Sequence, residues 1–133
     1  MAGLLARCDL FLPSGPELML FAEAADEAAA IAEILARGVR AVVVKRGAAG
    51  ADYHDGSGLA VRQPGFAVEE LDPTGAGDCF GATYISCRAQ GMDVDAALKY
   101  ACASGARAVG VKGPMEGTAT FTELDAFLKS ATE

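Results

Sequence analysis

Positive charge is scarce in this chain. Lys and Arg number 11 against 18 Asp and Glu in 133 residues, a formal net charge of −7, and the few cations are scattered. That argues against a broad nucleic-acid-binding surface. Apolar residues make up 52% of the chain, yet no run approaches the roughly 20 residues that cross a bilayer. The stretch Met1-Ala2-Gly3-Leu4-Leu5-Ala6-Arg7 has no basic segment ahead of its short apolar run, so it makes a poor signal peptide. Cysteine is sparse too: Cys8, Cys79, Cys87 and Cys102 show no C-x-x-C spacing. Three of them lie in apolar helical contexts, where buried free thiols and a reducing cytoplasm are the expectation. The one histidine, His54, reads as an ordinary surface residue. Repeats and low-complexity linkers are lacking.

What is present is apolar, rich in Ala and Val, and excludes disorder. The length suits a single domain over 1–133 that buries about two-thirds of its unfolded surface. Cys8 to Leu12 reads as a buried strand ended by Pro13. Ser14-Gly15-Pro16-Glu17 turns into a helix, with Pro16 and Glu17 suited to its first turn. Asp26 to Arg37 predicts a helix with Ala28, Ile31, Ala32 and Leu35 as its apolar stripe and Gly38 as its stop. Arg40 to Lys45, with its Val42-Val43-Val44 run, predicts an interior parallel strand buried on both faces. After a Gly47-to-Gly50 turn, Ala51–His54 and Leu59–Arg62 form a hairpin around Asp55-Gly56-Ser57-Gly58. Phe66 to Leu71 predicts a further strand. Three helices follow: a largely buried one over Cys79–Ala89, one over Asp93–Val109, and one over Thr122–Ala131 with a Thr122/Asp125 capping box. The order predicts an α/β sheet with a helical end.

The most informative stretch is Leu71-Asp72-Pro73-Thr74-Gly75-Ala76-Gly77-Asp78-Cys79-Phe80-Gly81. Small residues between two carboxylates, ahead of a helix, build an anion pocket in which backbone N–H groups and the helix dipole converge. An acidic residue beside an anion site repels the anion, so Asp78 is better suited to accept a proton or help hold a metal. A dinucleotide fingerprint fails because position 80 is Phe and Gly81 comes one residue late. A phosphate-binding Gly-Lys-Ser/Thr ending is missing. An ordinary Gly-rich turn with Asp78 as an N-terminal cap accounts for the four central residues taken singly, but not for the addition of Asp72 and Thr74.

The longer pattern resembles the C-terminal signature of the PfkB (ribokinase-like) carbohydrate kinases, Asp-Thr-x-Gly-Ala-Gly-Asp-x-Phe, with Pro73 in the usual Thr position. The resemblance implies a ribokinase-like three-layer α/β/α fold with a mainly parallel sheet, and transfer of phosphate from ATP to a sugar or sugar-acid hydroxyl. It makes Asp78 the base and the amides of Gly75, Ala76 and Gly77 the anion hole. Pro13-Ser14-Gly15-Pro16-Glu17 is similar to the family's Asn-x-x-Glu region, implying that Ser14 lies at the phosphates and Glu17 helps hold Mg²⁺. Lys45, Gly47 and Gly50 match the strand and turn bordering the nucleotide, although solvated strand-end charge explains Lys45 and Arg46 equally well. Cys102 stands where many relatives carry the Asn of the adenine pocket. Asp72 and Thr74, with Ala108, Val111 and Gly113, align with a K⁺ site of some members.

The Pro13-Ser14 variant is similar to sugar-acid kinases, including 2-keto-3-deoxygluconate kinases. The resemblance covers only the C-terminal portion of such an enzyme and leaves out its sugar-binding and lid elements. The chain is therefore expected to self-associate as a homo-oligomer or to belong to a longer protein, and to turn over little sugar alone. A non-catalytic nucleotide-binding or oligomerising remnant of the fold is the second function class.

Overall fold

The computed structural model describes residues 2–131. They fall into two compact units, one formed by the described residues through Arg46 with Ala51–Arg62, the other by Gly47–Gly50 with the described residues from Gln63 onward.

The first unit opens with a short helix α1 (Ala2–Leu5), then strand β1 (Leu10–Phe11), helix α2 (Gly15–Leu20), helix α3 (Glu27–Ala36) and strand β2 (Ala41–Lys45). The hairpin β3 (Ala51–Asp55) and β4 (Ala60–Gln63) completes a four-stranded sheet of order β1-β2-β3-β4. β1 is shorter than predicted and stops ahead of Pro13. Strand β2 is interior, with Val42, Val43 and Val44 buried, as their composition requires. Its pairing is mixed, however: parallel to β1 and antiparallel to β3, because the short Gly47–Gly50 turn sends the chain straight back. Asp26 caps α3 by accepting the Ala29 N–H at 2.8 Å. The predicted stripe of that helix is shifted. It buries Ala30, Ile31 and Ile34, whereas Ala28 and Ala32 are exposed and Leu35 is half-buried. The larger Ile34 takes the core position with Leu18, Val42 and Val44, and burying Ile in place of Ala removes more apolar surface from water.

The second unit is helical: α4 (Ala76–Ala89), α5 (Val94–Val109) and α6 (Phe121–Ser130). Asp93 caps α5. Tyr84 and Cys87 of α4 are buried, as are Leu98, Ala101 and Ala103 of α5. Inside the pair, the Thr83 hydroxyl donates to Ser104 Oγ at 2.9 Å, which donates to the Cys79 carbonyl at 3.3 Å. Leu124 and Leu128 of α6 pack on Ala103, and Phe66 meets Phe127 edge-on at 5.4 Å.

Three expectations fail here. Phe66 to Leu71 is not a strand: Phe66 is committed to α6, and the Leu71 and Asp72 amides both donate to the Val109 carbonyl, at 2.8 and 3.1 Å. A strand needs a neighbour to take its backbone groups in alternation, and a helix end takes them here. Helix α4 begins three residues earlier than predicted and is not largely buried; only Cys79, Phe80, Tyr84 and Cys87 are, and Ile85 stays 53% exposed. The α6 capping box is Thr120/Glu123, not Thr122/Asp125. Glu123 Oε2 reaches back to the Thr120 N–H at 2.8 Å, a span that suits the longer Glu side chain.

Candidate active site

Asp72 organises the approach to α4. Its Oδ1 accepts the Thr74 N–H at 3.0 Å and its Oδ2 the Gly113 N–H at 2.9 Å. These bonds, from Thr74 first and then Gly113, hold its carboxyl below the usual carboxylate range. The Ala76 N–H turns back to the Pro73 carbonyl at 3.2 Å, so Pro73 fits its turn. Gly75 is the N-cap at φ +81°, in the left-handed region that favours glycine. A Cβ on Gly75 would overlap the Pro114 carbonyl, so the 113–114 loop backs the turn. The Gly113-Pro114 pair is itself a turn signal, but nothing in its composition ties it to Gly75.

No side chain caps α4. The first-turn amides of a helix lack intrahelical partners, and with Ala76 engaged by Pro73 the open ones are Gly77 and Asp78. Of the three amides expected to form the anion hole, Ala76 is therefore committed within the turn and Gly77 stays available. Asp78 is an exposed first-turn carboxylate rather than the cap. The 14-residue helix lends this end a partial positive charge that favours anions.

In the first unit, Ser14, Glu17 and Lys45 are brought together. Ser14 caps α2 and Glu17 closes the box, its Oε2 accepting the Ser14 N–H at 2.7 Å. The sequence signal for this box is the Ser-x-x-Glu spacing of Ser14 and Glu17. The hydrogen bonds to Ser14, and more weakly the Lys45 charge, lower the Glu17 pKa. Lys45 bridges to Ser14 in parallel pairing, its N–H donating to the Pro13 carbonyl at 2.8 Å.

Gly47 and Gly50 differ in what their missing side chains allow. A Cβ on Gly47 would meet nothing within 4 Å, whereas one on Gly50 would collide with the Gln63–Gly65 backbone. Gly47 leaves room for a ligand; the room at Gly50 is filled by the protein itself. Cys102 lies in α5, 7% exposed, and burial pushes its thiol up to about 12. All four cysteines are free, and Cys79 and Cys87 are buried too. A cavity of about 210 Å³ lined by Cys79, Thr83, Ser104, Phe121 and Leu124 among others touches none of the candidate site residues.

Among the described residues there is no cluster of three His, Cys, Asp or Glu side chains for a metal. Mg²⁺ does not need one, because it is commonly held by one or two carboxylates, water and substrate phosphates. Exposed Glu17, with one oxygen on Ser14, fits that role. Asp72, by contrast, has an oxygen on each of two amides, so a cation there would rely on backbone carbonyls.

Residues 1–120 match the pfkB family carbohydrate kinases, and this chain belongs to that family. It is 45% identical over 74 residues to the ATP-dependent ribose-1-phosphate kinase of Halopiger xanaduensis, covering 56% of this chain and 25% of that one. Identity is 36% over 93 residues to the 2-dehydro-3-deoxygluconokinase of Thermoproteus tenax, covering 70% and 28%. A provisionally assigned ribokinase II from Escherichia coli, solved with ATP and Mg²⁺, superposes with a TM-score of 0.93 at 43% identity, over 97% of this chain and 42% of that one. The fold is ribokinase-like α/β. This chain spans about a quarter of those curated relatives and under half of the solved one. No helix among the described residues is long and apolar enough to cross a membrane.

Proposed function

We propose that this chain supplies the ATP-handling and catalytic-loop portion of a carbohydrate kinase. In the reaction, the sugar hydroxyl oxygen forms a bond to the γ-phosphorus as the bond to the ADP leaving oxygen breaks, and the hydroxyl proton passes to the Asp78 carboxylate. The Gly75–Gly77 turn and the α4 N-terminus stabilise the charge on the transferred group, chiefly through the Gly77 and Asp78 amides. Such transfer depends mainly on positioning and electrostatic stabilisation. Mg²⁺ carried with the nucleotide would neutralise phosphate charge. Glu17 would hold its hydration shell, Lys45 and Ser14 would meet the phosphates, and Gly47 would leave its backbone open to the nucleotide. Cys102 would offer an apolar contact to adenine.

The observation that carries this reading is the uncapped, glycine-initiated start of α4 with Asp78 exposed in its first turn. Similarity to a deoxygluconokinase and to a ribose-1-phosphate kinase supports a sugar or sugar-acid acceptor. K⁺ at the carbonyls of Ala108, Val111 and Gly113 beside Asp72 and Thr74 would be an auxiliary feature. Buried free thiols and an ATP donor fit a cytoplasmic enzyme. Leu71, 63% exposed, and Ile85 are apolar surface suited to contact with further chain or a second copy.

A second reading is a non-catalytic nucleotide-binding or oligomerising remnant, favoured by Ser14, Pro73 and Cys102 at positions where the family pattern differs. Calorimetric titration with ATP, with and without Mg²⁺, tests the proposal. Mg²⁺-dependent binding supports an ATP site, and absence of binding leaves only the structural module.

A further inference from the structure

Arg46 follows Lys45 but does not share its surroundings. Its Nε donates to Asp52 Oδ2, and its Nη2 lies 2.9 Å from Glu27 Oε2. The Arg46 side chain is three-quarters buried and that of Asp52 nearly nine-tenths. Glu27 first, then Asp52, raises the guanidinium's already high pKa. Glu27, the first residue of α3, also presses on α2: a Cβ built on Gly15 would lie 2.8 Å from Glu27 Oε1 and 4.0 Å from Arg46 Nη1. The Glu27–Arg46 pair thus stands against the backbone that joins Ser14 to Glu17. Lys45, through its bridge to Ser14, adjoins the same turn.

We propose that Arg46 is a positioning residue. Held by Glu27 and Asp52, it sets the end of β2 and the start of α2, so that Lys45, Ser14 and Glu17 present a fixed geometry to phosphate and Mg²⁺. This rests on the roles given to those three residues above. It also divides the labour between the two adjacent cations: Lys45 meets the nucleotide, and Arg46 holds the frame. A lysine could not replace it fully, because a point charge cannot span two carboxylates as a planar fork does.

The test compares wild type with Arg46→Gln, Arg46→Lys and Gly15→Ala in the intact chain. Gly15→Ala displaces Glu27 while leaving Arg46 in place, and so serves if Arg46→Gln fails to fold. Two quantities are read: Mg·ATP affinity by calorimetry, and amide hydrogen exchange across the chain. The expected result is about tenfold or greater loss of affinity in Arg46→Gln, partial recovery in Arg46→Lys, and a smaller loss in Gly15→Ala. Loss of exchange protection should be confined to Ser14–Leu18 and to the Lys45 amide that bonds the Pro13 carbonyl. Wild-type affinity in a folded Arg46→Gln chain, or a uniform loss of protection across the first unit, would overturn the proposal. If wild type itself binds no Mg·ATP, the kinase reading fails by that result. The exchange arm then decides positioning separately: protection lost only at Ser14–Leu18 and the Lys45 amide upholds Arg46 as the frame of the turn, and any other pattern rejects it.

Discussion

The Asp72 carboxylate accepts the Gly113 N–H at 2.9 Å, joining the loop before α4 to the loop after α5. With its second oxygen on the Thr74 N–H, Asp72 is a clasp for the turn that sets Gly75 and Asp78 at the start of α4.

That clasp has a pH signature. Hydrogen bonds hold the Asp72 carboxyl below its ordinary value, so its stabilisation is fully present above the unfolded value, about 3.9, and fades as pH falls through the lower folded value. Asp72→Ala should melt below wild type by an amount that stays flat from about pH 5 to 8 and shrinks below about pH 4. Thermal melts across that range check it. A gap that widens in acid would contradict it.

Glycine matters unequally along the chain. Gly75→Ala combines a left-handed backbone with overlap on Pro114 and should cost at least about 2 kcal/mol in urea unfolding. Gly47→Ala has the positive φ but open space, and should cost about 1 kcal/mol. Equal costs would mean that Pro114 yields freely.

For α6, Thr120→Ala should lose about 1 kcal/mol. Thr122→Ala, exposed and outside the box, should stay within roughly 0.5 kcal/mol. Paired urea titrations decide between the two boxes.

The thiols can be ranked by access. Cys8 is half-buried, while Cys79, Cys87 and Cys102 are buried and burial raises all three. Alkylation of the folded chain followed by mass spectrometry should modify Cys8 first. Early labelling of Cys102 would show that its helix face opens.

Most of the scaffold was legible because its signals are local. The Val42–Val44 run declared an interior strand, the small residues after Asp55 declared a hairpin, and the helical spacing of apolar residues from Val94 to Val109 declared α5. The failures came where tertiary partners decide. Phe66 to Leu71 looks like a strand until Val109 and Phe127 claim it. Whether Ala28 or Ile34 faces inward depends on what α3 packs against, and the burial of α4 depends on the cover given to Ile85. Within the site, the motif gave the position of Asp78 but not the loss of the Ala76 amide to Pro73. Nor could spacing show that Gly50 is filled by Gln63–Gly65, or that Arg46 turns to Glu27 and Asp52.

The most direct test of the central claim is phosphoryl transfer with Asp78 altered. The chain, grafted into the E. coli ribokinase II in place of its matching 42%, should phosphorylate a sugar or sugar acid from ATP. Asp78→Asn should lower kcat by about 10²-fold or more while Mg·ATP binding persists. Turnover in Asp78→Asn within a few-fold of the unaltered graft would contradict the assignment of Asp78 as the base.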